Sequence, residues 1–173
     1  MTAQSVVTIL QALEEAGIAV WLDGGWGVDA LLEAQTREHS DLDLILDRDS
    51  GAALDARLRE LGFARTNDGE HSFVMSHPEL GSVDVHGVRF DARGFGAFDL
   101  PGGGEWPFPP SAFAGSGTVA GVSVRCLSAE AQVQCHGQGY EPTARDLQDM
   151  AHLQERFGVV LPLALCPQRT SSW

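Results

Sequence analysis

The chain has 173 residues, of which 43% are hydrophobic and 20% charged, a composition that is typical of a globular protein and excludes a chain disordered throughout. Its formal net charge of -13 would repel a phosphate backbone, so we exclude a general nucleic-acid-binding protein and expect a cationic small molecule or a basic partner. Since no apolar stretch reaches the length of a membrane span, we expect no membrane association.

Two residue counts bear on the chemistry. Lysine is absent and all 11 basic side chains are arginine, so arginine or histidine would have to contact a phosphate group. The three cysteines, Cys126, Cys135 and Cys166, are odd in number, and no signal peptide precedes them. We therefore expect reduced, structural thiols in a cytoplasmic protein.

The first part of the chain alternates helices with strands. Hydrophobic spacing predicts, in chain order, a helix over 5–16, a strand over 18–22, a helix over 26–33, a strand over 41–47 and a helix from Ser50 to about residue 61. Between the first strand and the second helix stands a Gly24-Gly25 turn. Ser50 is a suitable N-cap because its hydroxyl oxygen can accept from a free N–H of the first helical turn.

The second part predicts more strands and then helices. In chain order, we expect strands over 63–66, 72–76 and 82–90, a long Gly- and Pro-rich surface loop over 91–116, a hairpin over 119–127 around Gly121, a helix over 128–138 with Ser128 as N-cap, and a helix over 143–157. The fold class is therefore α+β, with a mixed sheet flanked by helices. We expect a main domain over 1–127, a helical part over 128–160 and a loosely ordered tail over 161–173.

Carboxylates recur on the predicted strands. Asp41 and Asp43 share one face of a strand, and the aliphatic residues between and after them face the opposite way, towards a core. Asp84 lies in a second alternating strand and becomes a third carboxylate if the two strands are neighbours. Carboxylates that stay ionised side by side need a cation, and hard oxygen ligands suit Mg²⁺. Three of them can hold two Mg²⁺ ions, which can clamp a phosphoryl displacement.

The glycine turn strengthens this interpretation. Gly24 and Gly25 would let the backbone approach a triphosphate, and the helix that follows would direct its N–H groups at the phosphates. An Asp-x-Asp pair alone is a weak signal, because 47–49 matches it too. A strand, a Gly-Gly turn, a helix and an acidic strand together form a pattern that chance rarely supplies.

These residues also carry a family resemblance. Segments 21–29 and 37–43 closely resemble the signature of lincosamide nucleotidyltransferases, and less closely that of aminoglycoside 2″-O-nucleotidyltransferases; their sequences are WLDGGWGVD and REHSDLD. Segment 83–86 resembles the third-carboxylate strand of this group, and 127–140 resembles its helical segment. Both families belong to the DNA polymerase β-like nucleotidyltransferase superfamily.

The resemblance implies a nucleotidyltransferase-type sheet and a mechanism. ATP or another NTP would bind with its triphosphate over Gly24, Gly25 and the helix that begins near Trp26. Asp41, Asp43 and Asp84 would be the metal and catalytic residues. Asp84 would also accept the proton of an attacking hydroxyl on a small antibiotic-like molecule, of lincosamide or aminoglycoside type.

Other side chains near these motifs have two interpretations each. Arg37 and His39 precede the acidic strand and would contact phosphate, or Arg37 would instead pair with Asp29. His86 shares a face with Asp84 and would line the site or be a satisfied histidine.

Residues further along the chain are also ambiguous. The resemblance keeps Glu130 near the substrate, although the first turn of a helix is reason enough for a carboxylate there. Tyr140 would contact nucleotide or acceptor from a loop, or would only be part of the loop surface. Asp146 and Asp149 would face an amine or water. Trp106 and Phe108 would form an apolar wall for the acceptor or hold down the loop.

Alternatives to antibiotic modification remain. One is a transferase of toxin–antitoxin type that nucleotidylates a hydroxyl of a protein. The other is a catalytically inactive nucleotide-binding module, against which the three carboxylates argue, since they are costly to keep without a metal. A homodimer that joins through the C-terminal helices is a further expectation.

Overall fold

The computed structural model describes residues 1–69, 72–100, 102–138 and 141–166. Across these residues, the helices are α1 (Ala3–Glu15), α2 (Gly24–Leu32), α3 (Gly51–Glu60), α4 (Ala129–His136) and α5 (Ala144–Phe157). The strands are β1 (Val20–Asp23), β2 (Asp41–Asp47), β3 (Ala64–Asp68), β4 (Ser72–His77), β5 (Gly81–Phe90), β6 (Gly96–Asp99), β7 (Glu105–Phe108), β8 (Gly115–Val119) and β9 (Val122–Cys126). The predicted α+β class is confirmed.

The strands form one mixed sheet in the order β3-β4-β5-β2-β1-β9-β8. At its centre, β2 is antiparallel to β1 and parallel to β5. Beyond this path, the end of β5 pairs with β6, and β6 pairs with β7. The three central strands therefore hold their side chains in a fixed register, which is what positions the candidate site.

One face of the sheet is covered by α1 and α3. The aliphatic residues of β2 that alternate with its acids are fully buried there, together with apolar residues of both helices: Leu42, Leu44, Leu46, Val6, Ile9, Leu13, Leu54 and Leu58. The predicted alternation of β2 is therefore confirmed. Because the aliphatic residues occupy the core face, the acids of β2 must project from the opposite face.

The C-terminal helices pack against α2. Val28 of α2 is buried with Val133 of α4 and with Met150 and Leu153 of α5. The N-cap predicted at Ser128 is confirmed, because its hydroxyl accepts from the N–H of Ala131. Ser50 does stand at the N-cap position of α3, but its side chain makes no capping hydrogen bond. After α5, the chain returns to this helical layer. None of the described helices is both long enough and apolar enough to cross a membrane.

The long surface loop predicted over 91–116 is wrong. This segment contains β6, β7 and a 3-10 helix over Pro110–Ala114, and β8 begins at Gly115. The hairpin around Gly121 is confirmed, with β8 and β9 as its strands. Aromatic side chains explain the difference at β6–β7, since Phe98 and Trp106 are directly opposite each other across the two strands.

Candidate active site

The site is built on a row of three aspartates at the centre of the sheet. Asp43 of β2 is the register partner of Asp23 on β1 and of Asp84 on β5. Asp41 lies two residues earlier on β2, is exposed, and accepts a hydrogen bond from the Ser40 hydroxyl at 3.1 Å. The structure thus places the three predicted carboxylates on the same two neighbouring strands and adds Asp23 as a fourth.

Crowding of these carboxylates makes the middle one hard to ionise. Burial first, and then the negative charges of Asp23, Asp41 and Asp84, raise the pKa of Asp43 to about 8, although Arg37 acts in the opposite direction. One oxygen of Asp23 is also buried without a hydrogen-bond partner among the described residues. The site therefore holds more negative charge than its own residues neutralise.

This charge and donor set fit a divalent cation. Ligand atoms of Asp43, Asp84 and His86 lie within 4.8 Å of one another. The two carboxylates are hard oxygen donors, as Mg²⁺ prefers, and His86 adds a nitrogen 3.7 Å from Asp84 Oδ1. His86 therefore shares the face of Asp84, as the alternation predicts. Asp41 is not part of this group, although its charge acts on Asp43.

The two glycines allow the start of α2 to approach the acidic row. Gly24 has φ +57, and a Cβ atom there would lie 2.2 Å from Asp43 Oδ2. A Cβ atom on Gly25 would lie 2.3 Å from His39 Nδ1 and 2.6 Å from Arg37 Nη2. Any larger residue would have to displace these side chains. The glycine pair thus begins α2 itself, rather than preceding it, and brings the helix N-terminus against the site.

His39 lies beneath this turn. Its Nε2 is 2.5 Å from Asp29 Oδ2, and both side chains are buried. The imidazole also packs on the indole of Trp26, with ring centroids 4.6 Å apart. Trp26 is only 2% exposed, so it would meet a nucleotide through its backbone and not through its ring.

Arg37 does not pair with Asp29, as one interpretation had it. It pairs instead with Asp149 of α5, whose side chain is 1% exposed. Asp146 is also turned inward, where it caps α5 at Thr143 and bonds His136 Nδ1 at 2.8 Å. The prediction that Asp146 and Asp149 face an amine or water is therefore wrong.

A cavity of about 420 Å³ opens beside the acidic row. One side is formed by residues of the row and its neighbours: Asp23, Gly24, Asp43 and His86. The other side is largely apolar and comes mainly from β6, β7 and the residues next to them: Phe98, Leu100, Trp106 and Phe108. Trp106 and Phe108 thus line the cavity, while Phe108 is also part of a buried cluster against which Trp106 packs, so both interpretations of these residues stay open.

One predicted substrate residue lies apart from this cavity. Glu130 is exposed in the first turn of α4 and does not line it. Tyr140 lies outside the described residues. Cys135 and His136 of α4 do line it, although neither was predicted as a site residue. Burial and then the charge of Asp23 raise the pKa of the Cys135 thiol, which keeps it protonated and supports a structural role.

Comparison with known proteins agrees with this geometry. A model of the aminoglycoside-2''-adenylyltransferase family matches residues 5–153. A lincosamide resistance protein of Staphylococcus haemolyticus is 30% identical over 155 residues, which cover 89% of this chain and 95% of that protein. A 2''-aminoglycoside nucleotidyltransferase of Klebsiella pneumoniae is 31% identical over 125 residues, which cover 71% of this chain and 66% of that protein.

Solved structures show the same relationship. A lincosamide antibiotic adenylyltransferase with bound lincomycin superposes with a TM-score of 0.80 at 30% identity, over 89% of this chain and 97% of that one. A structure of ANT(2'')-Ia with adenylyl-2''-tobramycin has a TM-score of 0.71 at 22% identity, over 89% of each chain, and supports the fold alone. The chain therefore belongs to the aminoglycoside-2''-adenylyltransferase family, a group of antibiotic-resistance nucleotidyltransferases.

Proposed function

We propose that this enzyme transfers AMP from ATP to a hydroxyl group of a lincosamide-type antibiotic, with Mg²⁺ as the required metal and pyrophosphate as the second product. The observation that carries the proposal is the position of the acidic row. It lies between the N-terminus of α2, where a triphosphate is favoured, and a cavity whose far wall is apolar.

Two Mg²⁺ ions would be held by Asp43 and Asp84, with Asp41 and His86 at the margins of the same site. When bound, the metal would neutralise charge on the triphosphate and on the carboxylates. The excess negative charge around Asp43 supports this assignment, because a carboxylate with a pKa of about 8 gains most from a nearby cation.

Asp84 is the residue best placed to act as general base. Its side chain is 37% exposed, and it adjoins the cavity through His86. It would accept the proton of the acceptor hydroxyl while that oxygen bonds to the α-phosphorus of ATP. The bond from the α-phosphorus to the bridging oxygen breaks, and pyrophosphate leaves with the electron pair.

The apolar wall favours a lincosamide over a polycationic acceptor. Phe98, Trp106 and Phe108 offer rings rather than carboxylates to the molecule that fills the cavity. Apolar walls are worth most to a ligand with an apolar arm. A lincosamide resistance protein is also 30% identical to this chain over 89% of its length.

An aminoglycoside is the second candidate. The family description names this class, and the net charge of -13 would attract a polycation. Both candidates share the same donor, base and metal, so they differ only in the acceptor.

Mass spectrometry tests the proposal directly. Lincomycin and tobramycin are each incubated with the protein, Mg²⁺ and either ATP or GTP. We expect lincomycin to gain the mass of one AMP group with ATP, and expect EDTA or the variant Asp84→Asn to abolish the gain. If only tobramycin gained mass, the acceptor would be an aminoglycoside and not a lincosamide. Full activity in EDTA would refute the metal assignment.

A further inference from the structure

One buried ion pair joins the C-terminal helix to the glycine turn. Asp149 of α5 accepts from Arg37 Nε at 3.1 Å and from Arg37 Nη2 at 2.7 Å, although the two residues are 112 positions apart in sequence. The Asp149 side chain is 1% exposed, while the Arg37 side chain is 21% exposed. The carboxylate is thus fully enclosed, and the guanidinium keeps one edge open.

The guanidinium also lies against the start of α2. Arg37 Nη2 lies 2.6 Å from the position that a Cβ atom on Gly25 would take, so the guanidinium is packed against the glycine turn. Asp149 occupies Nε and one N–H of Nη2, and the Glu38 carbonyl accepts from Nη1 at 3.2 Å. One N–H on each terminal nitrogen therefore has no acceptor among the described residues, in a fork that suits phosphate oxygens.

We propose that Asp149 is a positioning residue for the nucleotide: it holds the Arg37 guanidinium against Gly25, with two N–H groups aimed at the triphosphate. The inference rests on the proposed function and adds a residue that no motif near the glycine turn contains. Because lysine is absent from the chain, a fixed arginine is the natural cationic contact for phosphate here.

Two effects of Asp149 oppose each other. Its negative charge lies near the triphosphate and disfavours phosphate binding, so a carboxylate that acted only as a counter-charge would weaken affinity. Its hydrogen bonds to Nε and Nη2 restrict the rotamers of the Arg37 side chain before phosphate binds, which favours binding. Arg37 neutralises the Asp149 charge at short range, and metal would neutralise part of the phosphate charge, so we expect orientation to outweigh repulsion. The sign of the mutational effect therefore distinguishes the two roles.

Calorimetric titration with inorganic pyrophosphate in Mg²⁺ provides a readout that does not need turnover. We expect Asp149→Asn to weaken pyrophosphate binding about tenfold, as Arg37→Gln does. The double variant should bind no more weakly than Arg37→Gln alone, because both changes remove one interaction. In steady-state kinetics, the KM for ATP should rise by about the same factor, and the KM for the acceptor should be unchanged.

Leu153→Ala is the matched control. Leu153 is fully buried on the same helix, one turn beyond Asp149, so its truncation loosens α5 without touching Arg37. We expect a lower melting temperature with unchanged pyrophosphate affinity. An Asp149→Asn protein that binds pyrophosphate as tightly as the unchanged protein, or more tightly, would overturn the inference. Absence of pyrophosphate and ATP binding in the unchanged protein would instead overturn the proposed function, and this inference with it.

Discussion

Replacing Asp43 by Asn should stabilise the metal-free protein at alkaline pH. The folded-state pKa of Asp43, about 8, lies well above its ordinary value of 3.8. Between these values the native state binds a proton that the unfolded state has lost, so stability falls as pH rises from about 4 to about 8. The asparagine variant has no such proton, and its advantage should grow over this window and then stay constant.

The size of the effect follows from the pKa shift. At about 1.4 kcal/mol for each tenfold change in proton affinity, the difference between a pKa of 3.8 and one of about 8 sets a ceiling of about 6 kcal/mol. Asp43 borders the cavity, where water screens part of the cost, and an asparagine amide also loses some hydration there. We therefore expect a gain of roughly 2–3 kcal/mol at pH 8, or about 4–12 °C in melting temperature for a domain of this size.

Urea unfolding in EDTA at pH 5, 6.5 and 8 measures this gain. The asparagine variant should be clearly more stable at pH 8, and the difference should shrink towards pH 5. Asp41→Asn is the control, since Asp41 is exposed and should give a much smaller gain. Mg²⁺ should then stabilise the unchanged protein more than the variant. Equal stability of the variant and the unchanged protein at pH 8 would refute the claim that the acidic row is electrostatically strained.

Three further changes probe the turn, the wall and the core. Gly25→Ala would place a methyl group 2.3 Å from His39 Nδ1, so we expect roughly 1–3 kcal/mol of lost stability and weaker ATP binding, measured by melting and calorimetry. Trp106→Ala removes part of the apolar wall and should raise the KM for lincomycin about tenfold with the KM for ATP unchanged. Leu58→Ala, in a fully buried position of α3 away from the site, should cost about 2–5 kcal/mol of stability and leave the turnover of the folded protein intact.

Local patterns in the sequence predicted the parts of the fold that depend on local geometry. Alternation along β2 put Asp41 and Asp43 on one face and Leu44 in the core, because strand periodicity fixes side-chain direction residue by residue. Gly25 before a helical segment similarly indicated a close backbone approach, and a side chain there would indeed collide with His39.

The parts that were missed depend on contacts between distant segments. No sequence pattern around Asp149 indicates that it pairs with Arg37, which is 112 residues away. Asp23 lies beside Asp43 only because β1 and β2 pair in this register. Strands β6 and β7 were missed because the Gly and Pro residues around them are typical of loops. Their pairing depends instead on aromatic side chains that meet across the two strands.

The balance of charge in the site argues that nucleotide binding depends on metal. The charge of Arg37 lowers the pKa of Asp43, but Arg37 is already paired with Asp149. The three aspartates around Asp43 all raise its pKa. A triphosphate added to this group would meet net repulsion, which the helix N-terminus, worth about half an elementary charge, does not offset. Divalent cations are the simplest source of the missing positive charge. Pyrophosphate affinity should consequently collapse in EDTA, more steeply than any substitution of Arg37 alone can make it.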